Sequence, residues 1–127
     1  MGTTKQEVGA YLSSEGLRPK ETDFGYVFEY QNLTFFIIWD DKDDQYLKIA
    51  LPGIFNVDDN NRDDALVAVN EVNKEWKVIK SVVTDDEVWV VAEQFVDKDP
   101  KLSDLVPRTI NILMGGRMSF YEYMQSL

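Results

Sequence analysis

The sequence predicts an α+β fold: two layers in the order α-β-β-β-α-β-β-α, with an antiparallel sheet of about five strands beneath the helices. Three observations lead there. The apolar residues switch from helical spacing to strict alternation and back twice along the chain. The strands fall into two runs whose connections are short enough to demand antiparallel hairpins. The chain has 127 residues, 44% of them hydrophobic, which suits one core, so residues 1–127 read as a single domain.

Each element has a local reason. Thr4-Lys5-Gln6-Glu7 has the form of a capping box, and Val8, Tyr11 and Leu12 follow at helical spacing. Gly16 supplies the stop, and Pro19 closes the option of continuing. From Phe24 the period becomes two: Phe24, Tyr26, Phe28 and Tyr30 alternate with Gly25, Val27 and Glu29. After Gln31-Asn32, Leu33, Phe35, Ile37 and Trp39 alternate with Thr34, Phe36 and Ile38. A two-residue loop sets Tyr30 opposite Leu33, Phe28 opposite Phe35 and Tyr26 opposite Ile37. The large residues from Phe24 to Trp39 then share one face, which is the expected core under the helices.

Asp40 to Asp44 reads as a charged turn, and a third strand runs from about Gln45 to Leu51, ended by Pro52-Gly53. Residues 54–61 are an expected loop. The second helix runs from Arg62 to about Lys74, capped by Asn60 or Asn61, with Ala65, Leu66, Val69, Val72 and Trp76 as its apolar stripe. Two β-branched strands follow, near 76–84 and 87–96, joined at Asp85-Asp86. Apolar residues then recur at helical spacing from Leu102 to Met124, interrupted by Pro107 and Gly115-Gly116.

Composition excludes several functions. With 23 acidic and 13 basic residues the net charge is −10, a poor basis for gripping phosphate backbones, so no nucleic-acid partner is expected. No apolar run approaches the length of a membrane span, and the start lacks a signal core, so a cytoplasmic protein is expected. The absence of both cysteine and histidine removes disulfides, thiolate sites, Ser-His-Asp triads and the commonest metal ligand.

No catalytic constellation, cofactor site or metal site emerges from the residues that remain. Asp40–Asp44 fails as an EF-hand: counting from Asp41, Tyr46 stands where glycine is needed and Pro52 where glutamate is needed. It reads as a solvated turn. Glu93 interrupts an apolar strand. A two-residue loop at Asp85-Asp86 sets Lys80 opposite Val91 and makes Lys80 and Glu93 diagonal neighbours, a structural ion pair in preference to a catalytic acid. Asn70 and Asn73 lie at the edge of the second helix's stripe, placed to bond a strand backbone. Met114, Met118 and Met124 have the spacing of core residues, though methionine also suits binding surfaces.

The remaining signal is one of area. One layer of helices covers one face of a sheet, and the other face should be polar. Here Val27, Phe36 and Ile38 point away from the aromatic set. The last hairpin is apolar on both faces: Val88, Val90 and Ala92 on one, Trp89, Val91 and Phe95 on the other. The expected interaction surface is therefore Val27, Phe36, Ile38, Trp89, Val91 and Phe95.

Several segments resemble the YbjN-like family, whose fold is that of the type III secretion chaperones. They are the helix VGAYLSSEGL, the aromatic strand FGYVFEYQN, the turn and strand WDDKDDQYLKIALP, the helix ALVAVNEVNKEWKVIK and the hairpin VVTDDEVWVVAEQF. The resemblance runs from about residue 5 to 125, with Asn70 and Asn73 its most particular residues. It implies a small, acidic, often dimeric protein that binds polypeptides or regulates, with no catalytic signature. The expected function is thus a non-enzymatic protein-binding module, a homodimer with a polypeptide partner. Two alternatives stand beside it: a small-molecule binder or enzyme using Lys80/Glu93, and a purely structural dimer.

Overall fold

The first helix, α1 (Lys5–Ser14), ends as its glycine predicts. Gly16 adopts φ +76°, Leu17 N–H bonds to the Leu12 carbonyl at 3.0 Å and Gly16 N–H to that of Ser13 at 3.0 Å, a Schellman stop. The computed structural model describes residues 5–127, so the capping box at Thr4 lies outside the described residues. A strand absent from the sequence reading comes next. β1 (Lys20–Glu21) pairs with β2 (Gly25–Tyr30) at Lys20↔Val27 and Glu21↔Tyr26. Two residues cannot show a period, which is why the alternation gave no sign of it.

The β2–β3 hairpin has the expected register. β3 is Leu33–Ile38, with Tyr30↔Leu33, Phe28↔Phe35 and Tyr26↔Ile37 opposed. Gln31 and Asn32 both take positive φ, 52° and 63°, which a two-residue turn needs to match the twist of the strands. β4 (Tyr46–Asn56) is longer than predicted. Pro52-Gly53 does not end it. Gly53 at φ +62° absorbs a register shift between Leu51 and Phe55, and pairing with the partner strand resumes at Phe55↔Val88.

α2 (Arg62–Glu75) carries Ala65, Ala68, Val69 and Val72 into the core. Leu66, predicted on the stripe, is 48% exposed, because the buried stripe runs through Ala65, Ala68, Val69 and Val72 and leaves Leu66 to one side of it. Asn61 occupies the capping position, but its side chain does not cap. It accepts from Asp58 N–H at 2.8 Å and donates to the Asn56 carbonyl at 3.1 Å, tightening the loop instead. β5 (Ile79–Val83) and β6 (Glu87–Phe95) form the last hairpin.

α3 (Leu102–Gln125) is one helix through Pro107 and through Gly115-Gly116. The glycines are contact surfaces. A Cβ on Gly115 would stand 2.3 Å from the Trp76 ring, and one on Gly116 would stand 2.5 Å from Ile79. Trp76 is fixed in that notch by donating its indole N–H to Ser119 Oγ at 2.9 Å.

The sheet has six strands in the order β1-β2-β3-β4-β6-β5, every pair antiparallel. Val8 and Leu12 of α1, the apolar side of α2, and Val106, Ile110, Leu113 and Phe120 of α3 join one core with Phe28, Phe35, Ile37, Ile49, Leu51, Val88 and Val90. All three helices therefore lie on one side. Phe24 departs from the predicted core. The Thr22 N–H to Gly25 carbonyl bond turns the chain just before β2, and the Phe24 ring swings to the far side against Phe36, 5.1 Å between centroids. Leu33 and Trp39 sit half-buried at the margin of the core.

Candidate functional site

Register decides what the uncovered face carries. Val27 stands opposite Phe36, Phe36 opposite Ala50, Ala50 opposite Val91, and Gly25 opposite Ile38. Val82 stands opposite Trp89, and Tyr46 opposite Phe95. Directly opposed residues point the same way. The six residues picked out by the sequence, Val27, Phe36, Ile38, Trp89, Val91 and Phe95, thus come to one face, the one away from the helices. Phe36 is the hinge of the patch, in edge contact with Trp89 at 5.8 Å and tilted against Phe24. Val91 is only 5% exposed, at the centre and walled in by its neighbours, whereas Phe95 is 86% exposed at one end. Among the described residues no helix lies on this face: the apolar side of α2, which could have covered part of it, packs into the opposite core.

Three members escaped the sequence reading: Phe24, Val82 and Tyr46. A glycine inside an alternating run, Gly25, was the available sign that Phe24 leaves the pattern. Val82 and Tyr46 follow from strand pairing alone.

A polar group borders the patch. The Lys80 ammonium pairs with Glu93 Oε1, and the Tyr46 hydroxyl donates to Glu93 Oε2. The register that brings them together, Lys80↔Val91, is the one expected from a two-residue loop. Lys80, then Tyr46, hold the Glu93 carboxyl below its usual value, against a smaller upward push from burial. Burial, then Glu93, raises the Tyr46 phenol above its ordinary value. Trp89 donates its indole N–H to Glu87 at 3.0 Å. The side chains that register places on this face include three lysines, Lys20, Lys48 and Lys80, and three glutamates, Glu29, Glu87 and Glu93. The face is electrically balanced on a chain of net charge −10.

The other predicted polar residues separate. Asn73 bonds the β5 backbone at Ser81, accepting at 2.6 Å and donating at 3.1 Å. Asn70, one turn earlier, is exposed and takes no part, because it points along the outer side of α2. Met114 and Met124 pack on the core margin, and Met118 is exposed. In the acidic turn, Asp40 and Asp43 accept from the backbone N–H groups of Lys42 and Gln45 at 2.9 and 3.0 Å, as turn carboxylates do. Among the described residues no group of three acidic, histidine or cysteine side chains is placed to hold a metal ion. Nor is any described helix long and apolar enough to cross a membrane.

Grooves occur elsewhere. One of about 250 Å³ runs between Tyr11 and Leu17 on one side and Val106 and Ile110 on the other. Another, of about 490 Å³, lies among Trp76, Val78, Gln94 and Arg108. Neither is lined by Lys80 or Glu93.

These features define the class: an α+β domain with three helices on one face of an antiparallel sheet and an apolar, charge-balanced opposite face. Solved structures share this fold. A crystal structure of YbjN from E. coli, described as a proposed transcription regulator, superposes with a TM-score of 0.72 at 10% identity, covering 94% of this chain and 90% of that one. An uncharacterized protein from Methanothermobacter thermautotrophicus superposes with a TM-score of 0.70 at 16% identity, covering 97% of this chain and 98% of that one. No family model and no curated protein sequence matches the chain. At these identities the likeness is one of fold, and it extends over almost the whole chain.

Proposed function

We propose that this protein is a non-enzymatic, YbjN-like binding module, chaperone-like or regulatory, that engages polypeptide through the open face of its sheet and pairs with a second copy of itself on that face. The observation that carries this reading is the patch of Phe24, Val27, Phe36, Ile38 and Trp89 around the buried Val91, with no helix over it among the described residues. Patches of this kind mark interaction sites, and a two-fold dimer is the commonest way to bury one. The balanced charge of the face fits a second copy, because two chains of the same net charge approach most easily where neither carries an excess. The regulator description of YbjN fits the same role. The acidity of this chain argues that any regulation acts through a protein, not by gripping DNA. Glu93 is engaged by both Lys80 and Tyr46, which supports its reading as part of the rim and not as a catalytic acid.

Light scattering at micromolar concentration tests this. The unmodified protein should run as a dimer, and Trp89→Glu or Phe36→Glu should each give a monomer with an unchanged circular dichroism spectrum. A monodisperse monomer with no affinity for apolar peptides would remove the proposal.

A further inference from the structure

A sheet can also associate through its edges, where unpaired backbone groups template another strand. One edge here is β1, only two residues long. The other is β5, with five residues, rich in β-branched side chains and last in the strand order. It is the obvious place for strand addition.

The middle of that edge is occupied. In an antiparallel ladder alternate residues turn both N–H and C=O away from the neighbouring strand. On β5 the central residue of this kind is Ser81. Its N–H donates to Asn73 Oδ1 at 2.6 Å, and its carbonyl accepts from Asn73 Nδ2 at 3.1 Å. One side-chain carboxamide thereby makes both bonds that an incoming strand would make at this residue. The arrangement is braced from beneath, where Ser81 Oγ donates to the Val69 carbonyl within α2 at 3.0 Å. Ser81 is 2% exposed although it lies on an edge strand.

We infer that Asn73 closes the β5 edge to strand addition, and that the strand it shuts out is β5 of a second copy. Two copies of β5 can pair about a two-fold axis through Ser81. Lys80 then stands opposite Val82 of the second copy, so no like charges are opposed, and the β-branched residues on both strands suit a sheet. In this register the carboxamide is the group on the strand backbone that stands in the way.

Two measurements decide the matter, both in the Trp89→Glu background, where association through the sheet face is removed. The first is hydrogen exchange with Asn73 intact. The Ser81 amide should exchange more slowly than an unprotected amide by about a hundredfold or more, as an amide in a stable ladder does. A rate close to the unprotected one overturns the inference without any Asn73 variant having to fold. The second is light scattering on folded Asn73→Ala/Trp89→Glu. It should associate where Trp89→Glu alone is monomeric, with the Ser81 amide protected in the assembly. A folded double variant that stays monomeric, or that associates while Ser81 exchanges freely, overturns it. If Trp89→Glu alone remains dimeric, the reading of the sheet face fails, while the exchange rate at Ser81 still judges the edge.

Discussion

Glu93 lies between two donors, and its environment translates into a pH dependence. Lys80 and Tyr46 lower its carboxyl below the usual 4.5. A depressed carboxyl favours the folded state above the unfolded value and loses that contribution as pH falls through the folded value. The Tyr46 phenol is displaced the other way, above 10.0, so its contribution is present below that pH and is lost as pH rises through the raised value. The Lys80 side chain is 57% exposed, so solvent screening holds the ion pair to about 1 kcal/mol at most. Urea unfolding between pH 7 and pH 3 should show the unmodified protein losing more stability below pH 4.5 than Glu93→Gln. Parallel curves would mean that the contact does not persist in solution.

At the scale of the element, α3 docks on its neighbours through two glycines with different tolerances. A methyl on Gly115 meets the Trp76 ring, a rigid group anchored to Ser119. A methyl on Gly116 meets the terminal carbon of Ile79, the mobile end of a flexible side chain. Alanine gains about 1 kcal/mol of helix propensity at either site, but overpacking costs roughly 1–3 kcal/mol where neighbours cannot yield. Gly115→Ala should therefore lower the melting temperature and Gly116→Ala should lower it less or raise it. The reverse order in thermal melts would show that Trp76 does not occupy the notch.

For the whole molecule, the contrast between a net charge of −10 and a balanced sheet face predicts how association responds to salt. Two copies repel through their overall charge, while the face contributes little attraction or repulsion of its own. Salt screens the long-range repulsion. Raising ionic strength from about 20 mM to about 300 mM should tighten the dimer, read by sedimentation or light scattering at fixed concentration. Weakening with salt would mean that opposite charges, and not the apolar patch, hold the copies together.

Local chemistry was enough for much of this protein. Alternation settled the β2–β3 register, because one face of that hairpin is so heavily aromatic that a one-residue slip would turn it to water. The same logic placed Lys80 beside Glu93 and grouped Val27 with Phe36 and Ile38. It could not say which face of β6 is covered, since both faces are apolar. Docking of α2 and α3 chose Val88, Val90 and Ala92 for burial and left Trp89 and Phe95 outside. Spacing put Asn73 closer to the buried stripe than Asn70, but only the docking of α2 against β5 gives it a strand backbone to bond. Gly115-Gly116 and Pro52-Gly53 read locally as breaks. Each is instead an accommodation, one to a tryptophan ring and one to a shifted ladder, and a breaker residue takes that meaning only from the element packed against it.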